Sequence, residues 1–223
     1  MCGRFTLSVD AASLQMHFPW LKNIPPQIMP RYNIAPTQPI AVVANNQADT
    51  VTHMVWGLIP FWAKDPSFGS RMINARSETL AEKPSFKNAY KRRRCLVLTD
   101  GFFEWVKQPG EAAKTPYYIR MEDDAPFAFA GLWEEWQSKE GSQLQSATII
   151  TTEPNELIAP LHNRMPVILA KKNYQDWLAP GEKTPEELGG LLGPFPAAGM
   201  KAYPVSTLVN SPANEVPEVI VPV

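Results

Sequence analysis

Residues 95–105 read Cys95-Leu96-Val97-Leu98-Thr99-Asp100-Gly101-Phe102-Phe103-Glu104-Trp105. The first five form a short apolar run of strand type, and Glu104 follows it between aromatic residues. Similar runs lie on either side, at Ile40 to Ala44, Val51 to Gly57, Pro116 to Met121, Phe127 to Trp133, Ala147 to Thr152 and Val167 to Leu169. Helical signals are fewer. Asp10 can cap a helix through His17, and Ser85 can cap one running to about Arg93. Short helices are also expected near Asn155 to Ile158, Lys171 to Leu178 and Pro185 to Leu192. Strands and helices do not alternate regularly, which disfavours a doubly wound parallel sheet. The expected fold class is α+β: one domain over residues 1–223, with a curled or barrel-like, mostly antiparallel β-sheet core flanked by short helices. The 23 prolines are spread along the chain and gather into no linker. No repeat, low-complexity tract or composition break marks a domain boundary.

The composition narrows the function classes. Hydrophobic residues make up 44% and charged residues 19%, a globular balance. No 18-residue apolar span occurs, so no membrane helix is expected. No basic flank followed by an apolar core opens the chain, so no secretory leader is expected. Only two cysteines occur, Cys2 and Cys95, which argues against a disulfide framework and for a reducing cytoplasm. The three histidines, His17, His53 and His162, are far apart and show no metal-ligand spacing with either cysteine. No metal and no cofactor is therefore expected. The net charge is −1, yet residues 71–94 carry eight basic side chains against two acidic ones. Such a stretch suits a polyanion bound at one place, or a solvated helix face.

Cys2 follows Met1, and removal of Met1 would give Cys2 a free α-amine beside its thiol. The amine titrates near pH ~8 and the thiol near ~8.5, so both are partly reactive at neutral pH. The amine can condense with an aldehyde and the thiol can then close a thiazolidine ring. The same pair can serve as an N-terminal nucleophile with its own amine as base.

Further segments concentrate unusual residues. Arg31-Tyr32-Asn33-Ile34-Ala35-Pro36 reads as a polar-aromatic turn ahead of a strand. Trp56-Gly57-Leu58-Ile59-Pro60-Phe61-Trp62 puts aromatics on a loop. Exposed aromatics there could stack on unpaired bases, whereas Trp56 reads as the buried end of a strand. In Asn74-Ala75-Arg76-Ser77-Glu78-Thr79, an amide and a guanidinium two residues apart share one side of an extended backbone and can grip a sugar or phosphate. A turn or helix cap is the plainer reading of the same residues. Glu104 among its flanking aromatics is expected to be partly desolvated, which raises its pKa toward the range useful for proton transfer, although alternation alone also permits a place on a strand's solvent face. In His162-Asn163-Arg164-Met165-Pro166 a lone histidine is commonly a packed or surface residue, but its place near Arg164, ahead of a Pro166 that restricts Met165 to extended geometry, also reads as a loop that faces a site.

Taken in order, Cys2-Gly3-Arg4-Phe5, the segments at Arg31, Trp56, Asn74 and Asp100, and His162 to Leu169 resemble the SOS-response-associated peptidase (SRAP) family. The likeness runs from Cys2 to about Val205, with Asn163 standing where many relatives carry Asp. It implies a monomeric, cytoplasmic sensor of abasic sites in single-stranded DNA, nucleoid-associated when bound to damage. Such a sensor loses Met1, forms a covalent thiazolidine crosslink through Cys2, and has associated lyase-type Schiff-base chemistry. The implied catalytic set is Cys2 for amine and thiol, Asn74 for orienting the opened sugar, Glu104 as general acid/base and His162 for proton transfer. The implied DNA contacts are Arg4, Trp62, Arg76, Thr151 and Arg164. Two other readings stay open: an N-terminal-nucleophile cysteine peptidase, as the family name suggests, and a non-covalent reader of modified bases.

Overall fold

A computed structural model describes residues 2–26, 28–107, 110 and 113–223. The strands are β1 (Phe5–Leu7), β2 (Arg31–Ile34), β3 (Pro39–Ala44), β4 (Val51–Trp56), β5 (Asn74–Arg76), β6 (Arg94–Thr99), β7 (Gly101–Val106), β8 (Thr115–Met121), β9 (Phe127–Gln137), β10 (Gln143–Thr152), β11 (Met165–Pro166) and β12 (Met200–Pro204). The helices are short: α1 (Ala11–His17), α2 (Lys87–Arg92), α3 (Tyr174–Leu178) and α4 (Pro185–Gly189).

Strands β10, β4, β3, β6 and β9 are hydrogen-bonded in that order, and β9 returns to pair with β10. The ring closes into a five-stranded barrel, which leaves none of these strands as a free edge over its paired length. The β9–β10 hairpin supplies the longest ladder, from Gln143 opposite Gln137 to Ile149 opposite Gly131. Beyond it, β10 takes β5 on one side in parallel and β11 on the other in antiparallel pairing. A second, antiparallel sheet in the order β12-β8-β7-β1-β2 packs alongside. The α+β, barrel-like expectation therefore holds, with parallel pairing confined to β10 with β4 and β5.

Alternation along β7 divides the apolar interior. Phe102 joins the main core with Phe5, Trp56 and Phe129, whereas Phe103 joins a separate cluster with Tyr118, Val205, Val209 and Val219. Successive strand residues face opposite sides, so one strand serves both clusters. Phe5 meets Trp56 edge-on at 5.0 Å and Phe129 at 6.0 Å between ring centroids. These contacts tie β1 to the barrel.

Four expectations fail. Arg31–Ile34 is strand β2, not a turn: the Glu215 carboxylate takes the backbone N–H groups of Tyr32 and Asn33. Ser85 does not cap α2, which starts at Lys87 without a side-chain cap. Residues 155–158 form a turn, closed by Asn155 Oδ1 accepting from Ile158 N at 3.0 Å, and residues 167–169 add only a bridge between Ile168 and Phe129. The Asp10 cap is present, accepting from Ser13 N at 2.8 Å. Sequence patterning also gave no strand at β1, β7 or β12, because each derives its order from pairing partners distant in sequence.

Much of the basic run serves the fold. Arg94 is fully buried, and its guanidinium donates to the carbonyls of Lys91 at 2.5 Å, Trp177 at 2.9 Å and Ala179 at 2.6 Å. It thereby satisfies orphan carbonyls at the C-terminal ends of α2 and α3. Arg93 donates to buried Glu134 at 2.7 Å, and Arg92 pairs with Glu182. Lys87 and Lys91 stay exposed.

Candidate active site at the barrel rim

The strand register brings the chemistry-bearing segments together. In the β1–β7 pair, Phe5 lies opposite Phe102, and Phe103 N donates to Arg4 O at 3.0 Å. Continued by one residue, that register sets Glu104 beside Gly3, next to Cys2. Glu104 shares the side of β7 that carries Phe102, the side on which Cys2 is packed. Asp100 pins the other end of β1, accepting from Ser8 N at 2.8 Å and from the hydroxyls of Thr6 and Ser8. Gly101 is required there, because a Cβ would sit 2.2 Å from the Tyr118 hydroxyl oxygen.

The second half of the site hangs on the end of β10. Asn74 of β5 lies opposite Ile149 and Arg76 opposite Thr151, while Met165 of β11 lies opposite Thr152. The segments around Asn74 and His162 thus flank one strand end. Asn74 Nδ2 donates to the Cys2 carbonyl at 2.8 Å, joining both halves. The Asn74 amide oxygen is buried without a hydrogen-bond partner among the described residues.

The electrostatics separate the titratable groups. Cys2 is fully buried, and burial pushes its thiol well above the usual range, with the Glu104 charge acting the same way. Burial also raises the Glu104 carboxyl, so it keeps its proton to higher pH than an exposed glutamate. His162 moves the opposite way: burial lowers it, so the neutral imidazole predominates at neutral pH. His162 Nδ1 lies 3.0 Å from Arg164 N and 3.2 Å from Arg164 O, so the Arg164 backbone fixes the orientation of the ring. A carboxyl raised by burial and an imidazole lowered by burial move toward each other as an acid and a base, and both feel the charge of Lys114.

The basic residues are built in rather than free. Arg4 Nη1 donates to Asn33 Oδ1 at 2.6 Å and to Val209 O at 2.8 Å, with its guanidinium 5.8 Å from the Trp105 ring centroid. Asn33 is itself buried and donates to the carbonyls of Ser211 and Asn214, each at 2.9 Å. Arg164 is held by Glu78 through two bonds of 2.6 and 2.9 Å and by Thr151 O at 2.6 Å. Thr151 is fully buried, so in this structure it supports Arg164 from below and presents no surface of its own. Arg76 is exposed at the end of β5. Trp56 is buried, as its position implies, and donates from Nε1 to Ile73 O at 2.9 Å. Phe61 and Trp62 are 55% and 47% exposed, and Trp62 packs edge-on against Phe68 at 5.6 Å. Gly57, at φ +130°, lets this loop approach Gly69, where a Cβ would lie 2.4 Å from the Gly69 carbonyl oxygen.

The SOS response associated peptidase (SRAP) family model matches residues 1–212. The chain belongs to the SRAP family. It is 46% identical over 222 residues to the Bacillus subtilis abasic site processing protein YoqW, covering 99% of each chain. It is 32% identical to the Gallus gallus abasic site processing protein HMCES, covering all of this chain and 78% of that protein. The fold matches a crystal structure from Bacteroides thetaiotaomicron with a TM-score of 0.88, 28% identity and full coverage of both chains.

Three site residues escaped sequence reasoning. Lys114, just before β8, is exposed and its charge acts on both Glu104 and His162. Asn33 locks Arg4, and Glu78 grips Arg164. Their motifs are visible in sequence, but their partners lie 29 to 86 residues away. Among the described residues, no cluster of three or more His, Cys, Asp or Glu side chains is arranged to hold a metal ion. Among the described residues, no helix is long and apolar enough to cross a membrane.

Proposed function

We propose that this protein captures abasic sites in single-stranded DNA as a thiazolidine through Cys2 after loss of Met1. The observation that carries the reading is the joining of Cys2 to Asn74 at 2.8 Å beside the raised carboxyl of Glu104. The relatives at 46% and 32% identity are abasic site processing proteins, which supports the same substrate.

An abasic deoxyribose is mostly a closed hemiacetal. Protonated Glu104 donates to the ring oxygen as the C1′ hydroxyl loses its proton, which exposes the aldehyde. The Cys2 amine adds to C1′, and water leaves to give an imine. The thiol then adds across the C=N bond: sulfur bonds to C1′, and the thiol proton ends on nitrogen. The net change is aldehyde plus aminothiol to thiazolidine plus water, with no oxidant or reductant. A raised thiol pKa suits this order, because the amine acts first and the thiol reacts when the imine is present. Asn74, with its amide oxygen unsatisfied, accepts from a hydroxyl of the opened sugar. Neutral His162 takes a proton at its unprotonated ring nitrogen and returns it. If the imine is not trapped, β-elimination cuts the strand, which is the lyase branch. Arg4, Arg76 and Arg164 attract the backbone, and exposed Trp62 occupies space that an opposing strand would need.

A general cysteine peptidase is less well supported, because a buried thiol pushed upward by burial and by a neighbouring carboxylate is a poor free nucleophile. The test uses a single-stranded oligonucleotide with one abasic site, resolved on a denaturing gel. A heat-resistant adduct that disappears in Cys2→Ala is expected. Its absence with protein shown by intact mass to lack Met1 sinks the reading.

A further inference from the structure

The pairing of Arg164 with Glu78 is unusual for a residue meant to hold DNA. Glu78 offers two carboxylate oxygens to Nη1 and Nη2 at 2.6 and 2.9 Å, the paired geometry that a phosphate would otherwise present. The two partners differ in freedom. The Arg164 side chain is 15% exposed and anchored from behind by Thr151 O at 2.6 Å, whereas the Glu78 side chain is 51% exposed. Glu78 rides on the short turn that follows Arg76, so the acid, not the arginine, is the partner that can swing away.

We propose that Glu78 is a built-in stand-in for a DNA backbone phosphate on Arg164, and that it sets how weakly the protein holds undamaged strand. A phosphate must displace the carboxylate to reach the guanidinium fork. Strand that offers only backbone gains little from the exchange and leaves. Strand carrying an aldehyde is retained by the covalent step. Glu78 is thus a specificity-determining residue that acts through Arg164. The inference rests on the crosslinking reading for the identity of the strand.

The experiment measures anisotropy of a labelled, intact single-stranded oligonucleotide without any abasic site, at several salt concentrations. Glu78→Gln and Glu78→Ala are each expected to bind about two- to fivefold tighter than the natural protein, the range of a partly exposed ion pair. The dependence of log K on log salt should steepen by about 0.7, one added single-strand phosphate contact. Both gains should vanish when Arg164 is also changed to Ala. Equal or weaker binding by both Glu78 variants overturns the proposal, as does a gain that persists without Arg164. Loss of the Cys2 adduct with the natural protein would sink the crosslinking reading alone, since the anisotropy is read on strand that cannot crosslink.

Discussion

Glu104, the proposed general acid, carries a cost to stability. Its buried carboxyl keeps its proton to higher pH in the folded chain than in the unfolded one. The sign follows directly: the group's contribution is fully present below the unfolded value and is lost as pH rises through the folded value. At neutral pH the folded protein must bury a charge or retain a proton. Glu104→Gln is therefore expected to abolish crosslinking while raising the melting temperature at pH 7 by about 2–4 °C, the effect of ~1 kcal/mol at this length. The gain should shrink to nothing on acidification below pH ~4, where both forms are protonated. A melting temperature at pH 7 that falls would show that the carboxylate is a structural support. Lys114 bears on the same chemistry. Its ammonium lowers both Glu104 and His162, so Lys114→Gln is expected to move both limbs of the crosslinking pH–rate profile to higher pH. An unchanged profile would exclude Lys114 from the site's electrostatics.

At the level of elements, order comes from residues that join segments distant in sequence. Arg94 closes the C-terminal ends of α2 and α3 with one side chain, and no apolar residue can replace its donors. Arg94→Ala is expected to cost about 3 kcal/mol or more in urea unfolding, since buried carbonyls lose their partners. Lysine should rescue little, because one ammonium cannot span both helix ends. Gly101→Ala is expected to disturb β1 and β7 together, because the new methyl meets the Tyr118 ring. A loss of about 1–3 kcal/mol should appear with slower Cys2 crosslinking, since Cys2 lies three residues before β1. Normal crosslinking in a destabilised variant would show that β1 does not transmit the change.

The whole molecule places its N-terminus by long-range closure. β9–β10 pairing seals the barrel, β1 is clasped between β2 and β7, and the C-terminal residues Val205, Val209 and Val219 cover Phe103 and Tyr118. Val209 also contributes the carbonyl that holds Arg4. The double change Val209→Ala and Val219→Ala is expected to cost ~2 kcal/mol or more and to slow crosslinking, although both residues are remote in sequence from Cys2. Preserved stability would mean that the C-terminal cover is dispensable. Several features were legible before any coordinates. The apolar runs that became β3, β4, β6, β8, β9 and β10 carry strand periodicity within themselves. The pairing of amine and thiol at Cys2 is a covalent property of an N-terminal cysteine, independent of fold. The candidate set of Asn74, Glu104, His162 and the arginines came from ordered motifs. What folding alone decided is who meets whom. Arg94 became structural, Thr151 became buried support, and Arg164 met Glu78 because β5 and β11 flank the end of β10. Those outcomes depend on strand register and on burial by segments up to about two hundred residues away, such as Val209 against Arg4. Local sequence carries residue chemistry and strand preference, whereas partner choice follows from the free energy of closing one shared core.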